Sequence, residues 1–285
     1  MSTKPLYLFF AFSTFVWTSF VHSSPAFGQV DIGLQVSSFD KQFHQDVPGT
    51  LDKIRQIGFR ELEAGVTYGM PFSDFKKLLD QHGIRVVSYG TGFDQLQNNP
   101  MAVVKEAKAW GADYVACFWI PHQGNDFGIA DIQKAVDVFN KAGKILKENG
   151  LALVYHAHGY EFRPYEDGTL FDYLVKNTNA GWMNYEMDVY WVKNAGQEPL
   201  ALLAKYPGRF PLMHLKDRRP GSPNNLNGSS DKESNVVLGT GDVGIEAIMK
   251  AAGKAGVKHY FIEDESSRSW EQVPASYAYL MSLHL

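Results

Sequence analysis

The feature that most constrains this 285-residue sequence is an alternation: a short apolar run, then a helix-period stretch, repeated eight times. The apolar runs fall at residues 30–36, 60–64, 84–89, 113–119, 151–154, 183–188, 209–215 and 259–263. Runs this short that follow a glycine stop cannot make a helix, and they suit parallel strands covered on both faces. The intervening stretches, 51–57, 71–82, 100–110, 129–148, 169–177, 198–205, 243–252 and 270–283, carry apolar residues at helical spacing. Gly58, Gly83, Gly111 and Gly253 stand where helices turn back, and Ser73 stands where the second is expected to open. Strict strand–helix alternation over about 250 residues predicts a single (β/α)8 TIM barrel, α/β in class. The main competitor, a doubly wound open sheet, calls for a Gly-x-Gly-x-x-Gly loop after the first strand, and the chain has Val36-Ser37-Ser38 there. No linker or composition shift divides residues 29–285, so they are expected to form one barrel domain.

Composition narrows the function classes. Hydrophobic residues make up 45% and aromatics 14%, ample for a core, while a net charge of −4 offers no basic footprint for nucleic acid. The single cysteine, Cys117, excludes an internal disulfide and sits in an apolar run, where a buried, inert thiol is expected. Residues 1–28 differ from the rest: Lys4 precedes a Phe-rich apolar stretch at 6–21, and Ala26-Phe27-Gly28 places small residues before Gln29. That pattern predicts a cleaved secretory signal peptide and a periplasmic or secreted protein. An uncleaved anchor is the alternative, disfavoured because the apolar run is short and broken by Ser and Thr.

Polar chemistry collects where the strands run out, the end of a barrel that carries active sites. The fifth strand leads into Tyr155-His156-Ala157-His158-Gly159-Tyr160-Glu161, the sixth ends in Glu186-Met187-Asp188, the seventh in His214-Leu215-Lys216-Asp217, and the eighth in Glu263-Asp264-Glu265. Period-two alternation puts Glu186 with Asp188, and His214 with Lys216. Asp188, His214 and Glu263 form an oxygen and nitrogen set suited to one divalent ion such as Mn, Mg, Co or Zn. Each has a plainer alternative: Asp188 as the N-cap of a following turn, Glu263 as an ion-pair partner of Lys216, His214 as a core histidine. The segment 218–241, rich in Pro, Ser, Asn and Gly, reads as a long flexible loop on the same face.

Taken together, these residues resemble the sugar phosphate isomerase/epimerase family with the xylose-isomerase-like barrel. The resemblance runs nearly end to end, through Ile32-Gly33-Leu34-Gln35, Ile57-Gly58-Phe59, Tyr155-His156-Ala157-His158, Glu186-Met187-Asp188-Val189-Tyr190-Trp191, His214-Leu215-Lys216-Asp217, Gly239-Thr240-Gly241 and Phe261-Ile262-Glu263-Asp264. It implies one metal ion at the mouth, with Asp188, His214 and Glu263 as three of its ligands. The departure is at Val154, where many relatives carry Glu; Glu161, reaching back from the loop, is the expected fourth ligand, with His156 or His158 as alternatives.

The resemblance implies an isomerase or epimerase that works on a keto-sugar through an enediolate. A lyase acting by β-elimination on a 3-keto-glycoside is the alternative, and a non-catalytic secreted carbohydrate-binding barrel the rival from another class. A DNA-repair nuclease on the same barrel would need further histidines and a basic face. Glu263, His156 or His158 would serve as base and Lys216 as oxyanion stabiliser. Tyr89, Trp119, Tyr160 and Trp191 offer rings for sugar stacking. The expected partner is a small carbohydrate, without nucleic acid or stable membrane association after cleavage; a homo-oligomer is left open.

Overall fold

The barrel strands form where the apolar runs predict them. The computed structural model describes residues 1–2 and 31–284, so the expected signal peptide and its cleavage point lie outside the described residues apart from Met1 and Ser2. The strands are β1 (Ile32–Gln35), β2 (Glu61–Ala64), β3 (Arg85–Thr91), β4 (Tyr114–Cys117), β5 (Ala152–His156), β6 (Met183–Asp188), β7 (Leu212–Leu215) and β8 (His259–Ile262). They pair in parallel in sequence order and close β1 against β8 through Ile32–Tyr260 and Leu34–Ile262. The open-sheet competitor is thereby excluded.

Two apolar layers result. Leu62, Leu153, Tyr155, Met187 and Met213 face outward onto the helices and join the large core. Val87, Tyr114, Ala116, Val154, Leu212 and Phe261 fill the barrel itself. Phe261 fits only because Gly33 stands opposite: a Cβ there would lie 2.6 Å from the Phe261 ring. The helix Ile129–Glu148 shows how the outer layer is built, burying Ile132, Ala135, Phe139, Ala142 and Leu146 on one face. Burying each such aliphatic or aromatic side chain contributes about 1.5–3 kcal/mol, so continuity of that face decides where a helix goes.

That rule explains one departure from expectation, and a second is a matter of capping. The helix Ile245–Ala255 runs through Gly253 because Ile248, Met249 and Ala252 keep its face buried, and it stops at Gly256, whose φ of 96° closes the last turn. The helix Phe72–His82 is preceded by Pro71 and has no side-chain cap, so Ser73 does not open it. Short helices at Asp40–Gln45, Phe93–Asn98 and Val189–Asn194 were not anticipated. The loop after β7 is less irregular than its composition suggests. Asp217–Arg218 pairs with Asn235–Val236, and the Asp217 carboxylate accepts from the backbone of Gly239, Gly241 and Val243. Cys117 is fully buried, and burial pushes its thiol up to about 12. Among the described residues no helix is long and apolar enough to cross a membrane.

Candidate functional site

Alternation along each strand decides what enters the mouth. On β5, Ala152 and Val154 belong to the barrel-filling layer, and His156 is the next residue on that face. On β6 the inward pair is Glu186 and Asp188; on β7 Leu212 is followed by His214 and Lys216; after β8 Phe261 is followed by Glu263. On β2, Glu61 and Glu63 share the face. The mouth therefore sits on an apolar plug and gathers His156, Glu186, Asp188, His214 and Lys216, all buried, with Glu263 at the rim.

Three atoms, one each from His156, Asp188 and His214, converge, and Glu263 touches this set at His214 but falls outside it. His156 Nε2 lies 3.7 Å from Asp188 Oδ2, and His214 Nδ1 lies 3.9 Å from Asp188 Oδ2 and 3.3 Å from Glu263 Oε2. His156 Nε2 and Asp188 Oδ2 are buried without a hydrogen-bond partner. Such orphaned groups are costly, about 1–3 kcal/mol each, unless something satisfies them. Ligand atoms around a divalent ion with bonds of about 2.0–2.2 Å stand roughly 3–4 Å apart, which matches this set. His156, Asp188 and His214 can accordingly hold a metal ion, and Glu63 and Glu186 crowd the far side of His214. Asp188 performs two jobs with its two oxygens: Oδ1 caps the helix Val189–Asn194 through Tyr190 N (2.8 Å) and Trp191 N (3.0 Å), and Oδ2 faces the histidines.

The electrostatics separate the groups. Burial, reinforced by the neighbouring histidines, drives His156 down to about 3. Burial likewise takes His158 down to about 4 against the pull of Glu263, so it is neutral at pH 7. Burial alone would lower His214, but the carboxylates of Glu186 and Glu63 hold it well above its usual value. Burial raises Asp188. Lys216 resists its own desolvation because Glu263 and Glu265 flank it, with its Nζ 3.3 and 2.5 Å from their oxygens, and it stays protonated. Glu263 is held well below the carboxylate range by Lys216 and His214 despite burial. The ion pair expected as the plain alternative for Glu263 thus coexists with its place at the metal-facing cluster.

Glu161 is placed elsewhere. Its Oε1 accepts from Tyr155 Oη, and the carboxylate takes the backbone N–H of His158 (3.1 Å) and Gly159 (2.9 Å). It belongs to no metal-capable group among the described residues. Arg163, two residues on, binds the backbone oxygens of Asn125, Phe127 and Leu226. On the face of Val154, His156 stands one pleat higher.

His158 stands beside His156, ring centroids 4.5 Å apart, with Trp119 and Trp191 on its other sides and its Nδ1 without a partner. Of the rings expected to stack on sugar, Trp119 is exposed at the rim. Tyr160 is buried with its hydroxyl on Ile120 N, and the hydroxyl of Tyr89 is taken by Glu106. A recess of about 320 Å³, lined by Gln35, Ser37, Glu63, Tyr68, Thr91 and Phe118, opens on the β1–β3 side. Glu63 and Glu186 went unassigned from the sequence, although period-two spacing from Glu61 and Asp188 pointed both inward.

Comparison with known proteins gives a consistent picture. The family described as xylose isomerase-like TIM barrel matches residues 51–282. A protein named inosose dehydratase from Geobacillus kaustophilus is 24% identical over 195 residues, covering 66% of this chain and 59% of that protein. The match thus spans less than two thirds of that relative's length. A sugar phosphate isomerase/epimerase structure from Parabacteroides distasonis superposes with a TM-score of 0.75 at 24% identity, covering 91% of this chain and 98% of that one. The structure of the IolI protein with a bound zinc atom superposes at 0.67 with 11% identity, covering 88% and 95%.

Proposed function

The chain belongs to the xylose isomerase-like TIM barrel family, and from that premise we propose that it is a divalent-metal-dependent dehydratase of a keto-sugar or an inosose-like keto-cyclitol. The observation that carries this reading is the pair of orphaned buried atoms, His156 Nε2 and Asp188 Oδ2, facing His214 Nδ1 and Glu263 Oε2. His156, Asp188 and His214 would hold the ion, with Glu263 beside them and His156 in the position first expected of Glu161. The ion would supply Lewis-acid polarisation of the substrate carbonyl. The name of the inosose dehydratase relative and the zinc in IolI support the substrate class and the metal respectively.

The chain's own residues supply the proton chemistry. His158, neutral because it is buried, takes the proton from the carbon beside the carbonyl. The electron pair left behind forms the carbon–carbon double bond as the β carbon–oxygen bond breaks. The departing hydroxide takes a proton from the Lys216 ammonium and leaves as water; solvent then returns His158 and Lys216 to their starting states. A neutral base and a protonated lysine in one site, separated by their surroundings, is the arrangement such a step needs. The apolar plug beneath the mouth and the Trp191 ring beside His158 limit water around the carbanion. Isomerisation shares the first step and differs only in returning the proton to another carbon.

The test is to load the purified chain with Mn, Co, Zn or Mg in turn and offer keto-inositols and 3-keto-glycosides. A product lighter by one water with enone absorbance supports the dehydratase. A product of unchanged mass that gains solvent deuterium would move the assignment to isomerase. No bound ion and no turnover across the panel would leave a carbohydrate-binding barrel. Export is part of the proposal: protein from its native host should begin at Gln29, and an intact leader found in mass spectra of active material would remove it.

A further inference from the structure

Two carboxylates that bind no ion in this scheme stand directly behind the two histidines. Glu63 Oε2 is 2.6 Å from His214 Nε2, and Glu186 Oε2 is 3.1 Å from His156 Nδ1, while Glu186 Oε1 lies 3.3 Å from His214 Nε2. All four side chains are buried. Glu63 also accepts from Gln35 Nε2 (2.9 Å) and Ser88 Oγ (2.6 Å). Ser88 and Gln35 both donate to Glu63, and the His214 nitrogen facing it donates to the same carboxylate. A cation binding at Nδ1 displaces the proton on that nitrogen and leaves in place the one that Glu63 holds on Nε2.

Glu63, Glu186 and His214 could instead be taken as a second ion site. The 2.6 Å separation argues against it: two ligands of one divalent ion stand roughly 3 Å or more apart, whereas 2.6 Å is hydrogen-bond length. The network also closes on itself. Gln35 Oε1 accepts from Ser37 N (3.0 Å), and Ser37 Oγ donates to Glu263 Oε1 (3.0 Å), so β1, β2, β7 and the end of β8 are tied through one ring of contacts.

We propose that Glu63 and Glu186 are positioning residues that select Nδ1 of His214 and Nε2 of His156 as the ion-binding atoms and so set the affinity of the site. The proposal rests on the metal reading above. Each carboxylate fixes the proton on the far nitrogen, holds the ring plane and makes the near nitrogen a stronger donor to a cation, which typically changes affinity about 10–100-fold.

The experiment measures ion affinity by calorimetry or chelator competition for wild type, Glu63→Gln, Glu186→Gln and Glu186→Asp, together with the Co²⁺ absorption spectrum and the melting temperature of the ion-free protein. The expected result is affinity lower by about 10–100-fold in both Gln variants, with an altered cobalt spectrum and intermediate loss in Glu186→Asp, which keeps the charge at longer reach. Glu61→Gln, two residues from Glu63 but outside the mouth, should match wild type. Wild-type affinity and spectrum in both Gln variants would overturn the proposal, as would a lowered ion-free melting temperature with unchanged affinity, the mark of a purely structural role. A wild-type chain that takes up no ion would instead overturn the metal reading itself.

Discussion

The two ends of the barrel use the same residue types and arrive at opposite states. At the floor, Glu61 at the start of β2 meets His259 at the start of β8 (2.8 Å) and Arg85 at the start of β3 (2.8 Å), and Arg85 reaches on to Asp113 (3.0 Å). No atom of Glu61, Arg85 or His259 is left buried without a partner. At the mouth Glu63 of β2 and Glu263, just beyond β8, face the two nitrogens of one histidine, His214, and beside it the orphaned atoms of His156 and Asp188 appear. The floor matches each charge with its opposite. The mouth gathers Glu63, Glu186, Asp188, Glu263 and Glu265 around Lys216 and the histidines. Matched charge contributes to stability, whereas an excess of buried carboxylate is tolerated where a cation completes it.

The largest effect that would sharpen this contrast is at Asp188. Asp188→Asn keeps an oxygen to cap the following helix and removes the metal-facing charge, so ion content by mass spectrometry should fall to background and turnover should vanish. Asp188→Ala should do the same and cost about 1 kcal/mol more in stability through the lost cap. Full ion occupancy in Asp188→Asn would break the comparison at its strongest point. Next come His158→Ala and Lys216→Met, each expected to lower kcat by about 10²–10⁴-fold while the ion stays bound; steady-state kinetics on ion-loaded protein decides it.

Glu161 tests whether a fully satisfied carboxylate close to the mouth behaves like the floor. Glu161→Gln places an amide N–H₂ against the backbone N–H groups of His158 and Gly159, and should cost about 1–3 kcal/mol in denaturant unfolding with ion affinity unchanged. Weakened ion binding there would restore Glu161 as a ligand. The smallest effect is at the floor. Burial would raise Glu61, but His259 and Arg85 hold it below the usual carboxylate value. A carboxylate lowered on folding contributes stability above pH 4.5, lost as pH falls through its folded value. Glu61→Gln should therefore flatten the acid limb of the stability curve and cost about 1 kcal/mol or less at pH 7, since Arg85 is half exposed. A change in turnover in this variant would show that the two ends are coupled.

The barrel was legible because short apolar runs and glycine stops are local signals. Helix ends were less so: Gly253 looks like a stop in sequence, yet its helix continues because Ile248, Met249 and Ala252 still have a surface to bury. At the site, Asp188, His214 and Glu263 could be picked out as inward residues at strand ends. The backing carboxylates could not be paired with their histidines, since Glu63 meets His214 across 151 residues and Glu186 meets His156 across 30. Only closure of the barrel brings them together.

What the sequence by itself determined is the set of inward-facing groups, since the two-residue period of a strand fixes which side chains share a face once the strand is placed. Tertiary structure alone decided which of them meet, and which loop residues do not. Val154 made Glu161 look like the missing ligand, because a sequence shows a lost carboxylate more readily than it shows that His156 lies one pleat above on the same face. Gly159, with φ at 107°, turns the chain so that the Glu161 carboxylate closes on the backbone N–H groups behind it. No residue pattern along a loop fixes that direction, because a loop side chain follows a single local turn and has no period to read.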